Sequence, residues 1–456
     1  MIAAWAVATA LAAWSPGTGH GPLRIALVVG LIAVGALIIR VDRRWLISPL
    51  FALGAIPVVF YAIGPWIAFQ LFPEGPPFSG PLDAASEFLS GQGELLVLQF
   101  SALCLAAVAA LAGPRTTHDQ RGERDALRKA GLFCIVLLLA VAAALFVARF
   151  NETIAAFAGA GAGRQIYDAM PVLMSFAIAV VAAAAALVGG GWRVAALLVG
   201  AVALGTAFAT GFVKPAVFAS GAALLLFAVL ARLRAASAIL MAGGIAMLLV
   251  TAALVVTFAR NPQIHSTDFI FTPRGADFLR HALFAKLFAR QVATGGCLQR
   301  VTDAHLPGDT AESPFYFLIA PVPRVLWPNK PNLSLGAEYG RRYCGTPPHI
   351  EGNPVHSASI TLLGQPIVQA GATGLAVAQG LTIAALVGLT MICLRRGTVG
   401  LIALATLFPW LADFDQSFAL YVANGTKFAL ISLPALAALA WLMRGTGFSG
   451  ADPAAK

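Results

Sequence analysis

Charge is what this chain has least of. Only 11% of its 456 residues are Asp, Glu, Lys or Arg, and just 20 of them are acidic. Hydrophobic residues make up 59%, with a mean hydropathy of +0.83. A soluble domain of this length cannot bury so much apolar surface, so composition excludes a water-soluble enzyme or binding module and makes lipid the solvent. Ten-residue segments of alternating polarity are missing, which excludes an outer-membrane barrel. Helices are left as the spanning structure, because in lipid the backbone must be satisfied within the segment. Neither CxxC nor HExxH occurs, so no metal-ligand spacing is present, and there is no GxSxG nucleophile elbow. Internal repeats of the kind that build a two-halved secondary transporter are also absent.

What the chain does have is long apolar runs. About twelve read as membrane spans: 1–14, 23–39, 46–71, 95–112, 130–148, 171–188, 194–210, 215–230, 236–258, 374–393, 398–412 and 417–442. The first lacks a basic leader, and Ser15-Pro16-Gly17 runs straight on into the second, so the expectation is a retained span. Fold class is therefore all-α polytopic membrane protein, with spans one to nine in 1–258, one large outer loop in 259–373, and the last three spans with a short tail in 374–456.

Orientation follows from Lys and Arg in the short loops. Arg40, Arg43, Arg44, the run from Arg115 to Lys129, Arg193, Arg232, Arg234, Arg395, Arg396, Arg444 and Lys456 place fifteen basic residues on one side. Arg24, Arg149, Arg164, Lys214 and Lys427 place five on the other, long loop excluded. The bias puts both termini in the cytoplasm and the long loop outside. Net charge +10 would suggest nucleic acid in a soluble protein; here the inner loops face anionic headgroups, and no nucleic-acid partner is expected.

Cys104, Cys134 and Cys393 fall in spans and read as small apolar fillers. Cys297 and Cys344 share the outer loop, where the compartment permits a disulfide; a bonded pair and two separate thiols both fit. The cytoplasmic stretch 112–129 reads as a solvated linker. Gly275 to Val292 has the pattern of an interfacial helix, with Lys286 and Arg290 on one side. Ser357 to Ala370 reads as a short re-entrant or surface helix leading through Gly371 and Gly374 into the tenth span.

Chemistry concentrates in the outer loop, whose ten basic residues outnumber its seven acidic ones. In Pro321-Val-Pro-Arg-Val-Leu-Trp-Pro-Asn-Lys-Pro331, four prolines fix φ and rule out a regular helix. Trp327 suits the headgroup level, while Arg324 offers a planar fork and Lys330 a point charge to a phosphate. The bland alternative is a loop snorkelling to headgroups. Lys214, in Thr210-Gly-Phe-Val-Lys-Pro215, interrupts two apolar spans at their outer junction, where a cation is a functional candidate or an ordinary solvated turn. Arg164 follows a Gly-Ala run on an outer turn beside Tyr167 and Asp168. Its likeness to a dinucleotide loop is dismissed, because no strand precedes it. Five of seven histidines lie in the outer loop. His356, before Ser357 and Ser359, is the best placed as a general base, with Glu351 and Asp303 as acidic alternatives.

These residues resemble the bacterial O-antigen, or oligosaccharide repeat-unit, polymerase family. The likeness rests on Pro-Arg-x-Leu-Trp-Pro-x-Lys-Pro at 323–331 with Gly336 and Tyr339 after it, and on the Thr-Gly-x-x-Lys turn at 210–214. Ser359 through Gly371 and Gly374 adds to it, as does a big outer loop between late spans. Gln365 departs from the pattern, since relatives carry an acidic residue there, so a base at this position is not expected. The resemblance implies a C-type, metal-independent glycosyltransferase with no cofactor. It would transfer a glycan from undecaprenyl pyrophosphate to the sugar end of another lipid-linked repeat unit, at the outer face of the bacterial inner membrane. Arg324, Lys330 and Lys214, with Arg164 and Arg341 as secondary candidates, would hold the departing pyrophosphate. His356 or Glu351 would orient or deprotonate the acceptor hydroxyl. A flippase and a chain-length regulator are the implied partners. A ligase-like transferase, which would use a loop histidine such as His349 or His356, is the nearest rival. A lipid-linked glycan flippase and a non-catalytic lipid-binding scaffold are more distant ones.

Overall fold

The computed structural model describes residues 21–58, 105–112, 121–151, 161–210, 213–233, 272–277, 316–319 and 361–445, with isolated positions 301, 322, 326, 327, 329, 330 and 339. Every regular element among them is helical. In chain order they are α1 (Gly21–Asp42), a 3-10 turn (Arg43–Ile47), α2 (Pro49–Pro57), α3 (Arg121–Phe150), α4 (Gly161–Leu187), α5 (Gly191–Thr210), α6 (Val213–Leu230), the single turn α7 (Tyr316–Ile319), α8 (Thr361–Arg395), α9 (Gly397–Leu411) and α10 (Phe418–Gly445). An unnumbered helix covers 105–112.

Four segments are long and apolar enough to cross a membrane: Glu123–Arg149, Ala169–Leu187, Thr373–Arg395 and Phe418–Met443. Three shorter apolar helices accompany them, Gly191–Ala207, Pro215–Leu230 and Gly397–Leu411. The outward faces fit lipid. Phe133, Val136, Leu197 and Trp441 are all more than 60% exposed, and each would forgo about 1.5–3 kcal/mol if left to water. Hydroxyls within the helices turn back on their own backbone, as Thr206 does to Val202, Thr382 to Ala378 and Thr406 to Ile402, each at 2.8 Å. Such i−4 bonds satisfy a polar side chain without water.

α4 is the central helix. Its spanning segment is 83% buried, and Ala182, Ala183, Ala184 and Ala185 are all buried. Small side chains let neighbouring backbones come close, the usual basis of helix packing in lipid. Around it pack α3, α5, α6, α9 and α10.

Several boundaries lie beyond the hydropathy limits. α3 begins at Arg121, so residues 121–129 are helix rather than solvated linker. The reason is local: Ala126 and Leu127 are fully buried, and Glu123 in the first turn suits the positive helix end while accepting a 2.7 Å bond from Thr398 Oγ1. α4 likewise begins at Gly161, which places Arg164 on a helix rather than on an outer turn. The span expected from residue 46 opens with the 3-10 turn. Ser48 then caps α2 through Leu50 N and pairs with Thr390 Oγ1 at 2.9 Å.

The basic loops gather at one end. Arg43 lies close enough to Arg232 for the two charges to interact; burial first, then Arg232, lowers the Arg43 pKa, and Asp42 opposes them. Glu123–Thr398 and Ser48–Thr390 tie two more connections, at 121–129 and 395–396, to the same end. Among the described residues, Arg43 and Arg232 and the connections at 121–129 and 395–396 are thus brought together. Cys134 and Cys393 are buried free thiols within spans, as expected. Residues 1–14, 59–71, 236–258, most of 259–360 and Cys104, Cys297 and Cys344 lie outside the described residues.

Candidate functional site

α8 carries the most informative local geometry. Its run from Thr361 to Arg395 is broken at Ala370 (φ −148°, ψ 22°) and Gly371 (φ 58°, ψ −147°). The first piece, 361–369, is almost wholly buried, and the second is the membrane span. Gly371 occupies backbone space essentially reserved for glycine. Gly374 lets the second piece pass the first, since a Cβ there would sit 2.4 Å from the Pro366 carbonyl oxygen. The short helix expected before the tenth span thus exists and is buried within the bundle.

Its partners are the α9–α10 connection. Leu362 N donates to Phe414 O at 3.1 Å, and Ala419 N donates to Gln365 Oε1 at 2.8 Å. Ala419 is the second residue of α10, where backbone N–H groups have no intrahelical acceptor. Gln365, 1% exposed, therefore serves as the cap of the last helix. Replacing it by leucine leaves a buried N–H unmet, and we expect a loss of about 1–3 kcal/mol in thermal unfolding of the purified protein. Gln365→Glu, which keeps an acceptor, should lose less; equal stability of wild type and Gln365→Leu would refute the capping role.

Thr361 opens this helix with φ 64°, an uncommon conformation for a β-branched residue. It stands five residues after His356, so backbone strain and the sequence-predicted base are neighbours in the chain. Its hydroxyl accepts from Leu363 N at 3.3 Å.

Sequence reasoning overlooked the connection itself, Asp413-Phe414-Asp415-Gln416. Asp413 accepts from Asp415 N at 3.2 Å and from Gln416 Nε2 at 2.8 Å, and Gln416 in turn accepts from Asn424 Nδ2. Tyr421 donates to Leu411 O at 2.8 Å, which fixes the hairpin. The missed signal was available: two acidic residues between late apolar runs, on the side assigned to the long loop.

In the Pro-rich segment, Leu326 is 76% and Trp327 38% exposed. Lys330 turns inward instead. It is 7% exposed, and its Nζ donates to Val322 O at 2.7 Å. Lys330 N also donates to Trp327 O at 3.0 Å. The ammonium braces the two ends of the loop that carries Arg324, one of its three donors going to that backbone carbonyl. The preceding turn, α7, packs on α10. Tyr339, the family-like tyrosine, is 2% exposed.

Lys214 is the second residue of α6, and the α5–α6 junction falls where it was read, between Thr210 and Val213. Arg164 stands in the first turn of α4. The side chains of Lys214 and Arg164, and all of Arg324, Arg341, Glu351 and His356, lie outside the described residues. A cavity of about 490 Å³ lined by Arg128, Trp192 and Gly189 to Gly191 sits at the basic end, remote in the fold from the α9–α10 connection.

Comparison with known proteins finds no family model, no curated sequence and no solved structure that matches this chain.

Proposed function

We propose that this chain is a membrane glycosyltransferase that polymerises undecaprenyl-pyrophosphate-linked oligosaccharide repeat units. It works at the outer face of the bacterial inner membrane, with both termini in the cytoplasm. The supporting observation is the kinked helix α8. A buried helix at 361–369, hinged at Gly371 and docked on the α9–α10 connection, is an unusual device for merely crossing a bilayer. Its first residue, Thr361, follows His356 by five positions in the chain, and the Pro-rich segment follows a turn packed on α10.

In this reading a sugar hydroxyl of the acceptor attacks the anomeric carbon of the donor glycan, and the bond to the pyrophosphate oxygen breaks. The hydroxyl proton passes to a loop base, His356 or Glu351. Charge growing on the leaving diphosphate is met by Arg324, with Lys214, Arg164 and Arg341 as further cations. Lys330 contributes by holding the Arg324 loop in shape. A flippase would deliver the substrate and a chain-length regulator would set its extent.

The test is a deletion strain examined for its surface polysaccharide ladder. Single repeat units still attached to the usual acceptor are expected, with the ladder restored by the plasmid-borne chain. Long chains stranded on the carrier lipid would instead identify a ligase, and an unchanged ladder would remove glycan assembly from consideration.

A further inference from the structure

We propose that the cavity between α3 and the α4–α5 connection holds the headgroup and upper chain of an anionic phospholipid from the cytoplasmic leaflet. The inference is independent of the glycosyl-transfer reading and needs only that the chain spans a bilayer.

The cavity, about 490 Å³, falls within the size range of small-molecule sites. On its α3 side stand Arg128, Leu132 and Ile135, whose spacing puts them on one face of the helix. Opposite them are the α4–α5 connection, Val188 to Gly190, and the start of α5 with Trp192. Gly189 (φ 74°) and Gly190 (φ 59°) take the left-handed backbone that glycine adopts without strain, so this wall is bare main chain. The indole has a seat of its own. A Cβ at Gly131 would lie 2.5 Å from the far edge of the Trp192 ring, so the missing side chain on α3 makes room for it.

Depth and polarity select the occupant. Arg128 is five residues inside the candidate span Glu123–Arg149, about 8 Å from its end. Trp192 is the second residue of α5, and tryptophan at the end of an apolar helix suits the headgroup level. Leu132 both lines the cavity and is 62% exposed, which makes one wall continuous with the lipid-facing surface of Phe133 and Leu197. A free polar ion would leave Leu132, Ile135 and Val188 without an apolar partner. A hydrocarbon chain alone would leave the guanidinium unmet. An anionic headgroup with its chain satisfies both.

Charge points the same way. Among the described residues no acidic side chain lines the cavity, and no ion pair engages Arg128, although Asp125 stands one turn before it. Lys129 and Arg193, both exposed, add positive charge at the same end. A guanidinium meets phosphate oxygens in pairs, and basic pockets between spanning helices on the cytoplasmic side recognise anionic headgroups. The rival account, an arginine snorkelling to bulk headgroups, requires neither a cavity nor a seated indole.

The full chain is purified in detergent, and binding of phosphatidylglycerol and phosphatidylcholine with the same chains is followed by native mass spectrometry. Wild type should prefer phosphatidylglycerol about tenfold. Arg128→Gln should lower phosphatidylglycerol affinity about tenfold and leave phosphatidylcholine unchanged. Lys129→Gln, next in the chain but outside the cavity, should stay within about twofold of wild type. Gly131→Ala keeps every charge and displaces the indole, so affinity should fall about threefold or more. Equal phosphatidylglycerol affinity in wild type and Arg128→Gln overturns the proposal, and so does wild-type affinity in Gly131→Ala. An equal loss from Lys129→Gln would make both side chains snorkelling anchors and overturns it too. Glycerol phosphate, a headgroup without chains, should not compete; competition would reduce the cavity to a free-phosphate site and sink the lipid assignment. Displacement of phosphatidylglycerol by an equal concentration of undecaprenyl phosphate would do the same. If Arg128→Gln fails to fold, Arg128→Lys decides in its place, with an expected fall of about threefold as a point charge replaces the fork.

Discussion

Gly374→Val should cripple this protein, whereas Gly388→Ala in the same helix should not. A Cβ at 374 would lie 2.4 Å from the Pro366 carbonyl oxygen and 2.8 Å from Ala370 Cβ. Neither neighbour can step aside, since one is backbone and the other sits at the kink. The two parts of α8 would have to separate, pulling Gln365 from Ala419 N and Leu362 from Phe414 O. Overpacking of this kind costs about 1–3 kcal/mol, and loss of the buried cap about 1–3 more. At Gly388 a Cβ meets nothing within 4 Å, so alanine should be neutral or stabilise by up to about 1 kcal/mol through helix propensity. The readout is the monodisperse fraction and thermal midpoint of each variant in detergent. Variants at 374 and 388 that behave alike would mean the kink is not closely packed. Activity lost together with stability would further tie the buried helix to the site.

The spanning helices were legible because lipid leaves the sequence little freedom. Apolar runs at 194–210, 215–230, 398–412 and 417–442 correspond to α5, α6, α9 and α10 within three residues at each end. The same holds for the helix before the tenth span, where Gly371 and Gly374 marked the fold-back. Hydropathy fails at the ends of helices that leave the membrane. α3 runs nine residues further than its apolar stretch because Ala126 and Leu127 are buried against protein, and burial by protein does not require a continuous apolar run. α4 starts in a Gly-Ala run, where the glycines suggested a turn but the helix continues.

The site was less legible for a different reason. Residue type reveals which groups can bind an anion, but direction comes from tertiary structure. Lys330 and Arg324 look equivalent in the sequence, yet the Lys330 ammonium is spent partly on Val322 O. Gln365 matched a position expected to be acidic, and its carbonyl caps α10 instead. Lys427 was counted with the outer loops, and its place on α10 puts it well inside the span. In each case a contact between residues distant in sequence, or a depth measured along a helix, decides the role.

Arg324→Ala should then have the largest effect on activity with little effect on folding. Lys330 ties the segment that carries it, through Nζ to Val322 O and N to Trp327 O, and neither bond uses the arginine. Removing a preorganised donor from a developing oxyanion costs about 10²–10³ in rate. Long polysaccharide chains should vanish and single repeats accumulate, while the thermal midpoint stays near that of wild type. Arg324→Lys should recover only part of the activity, because an ammonium cannot make the paired contacts of a guanidinium to a diphosphate. Lys330→Met should differ from both: the loop loses its brace, so stability and activity fall together. A normal ladder from Arg324→Ala would remove this loop from catalysis. If Lys330→Met lost activity at unchanged stability, the ammonium would be a substrate contact and its bracing role secondary.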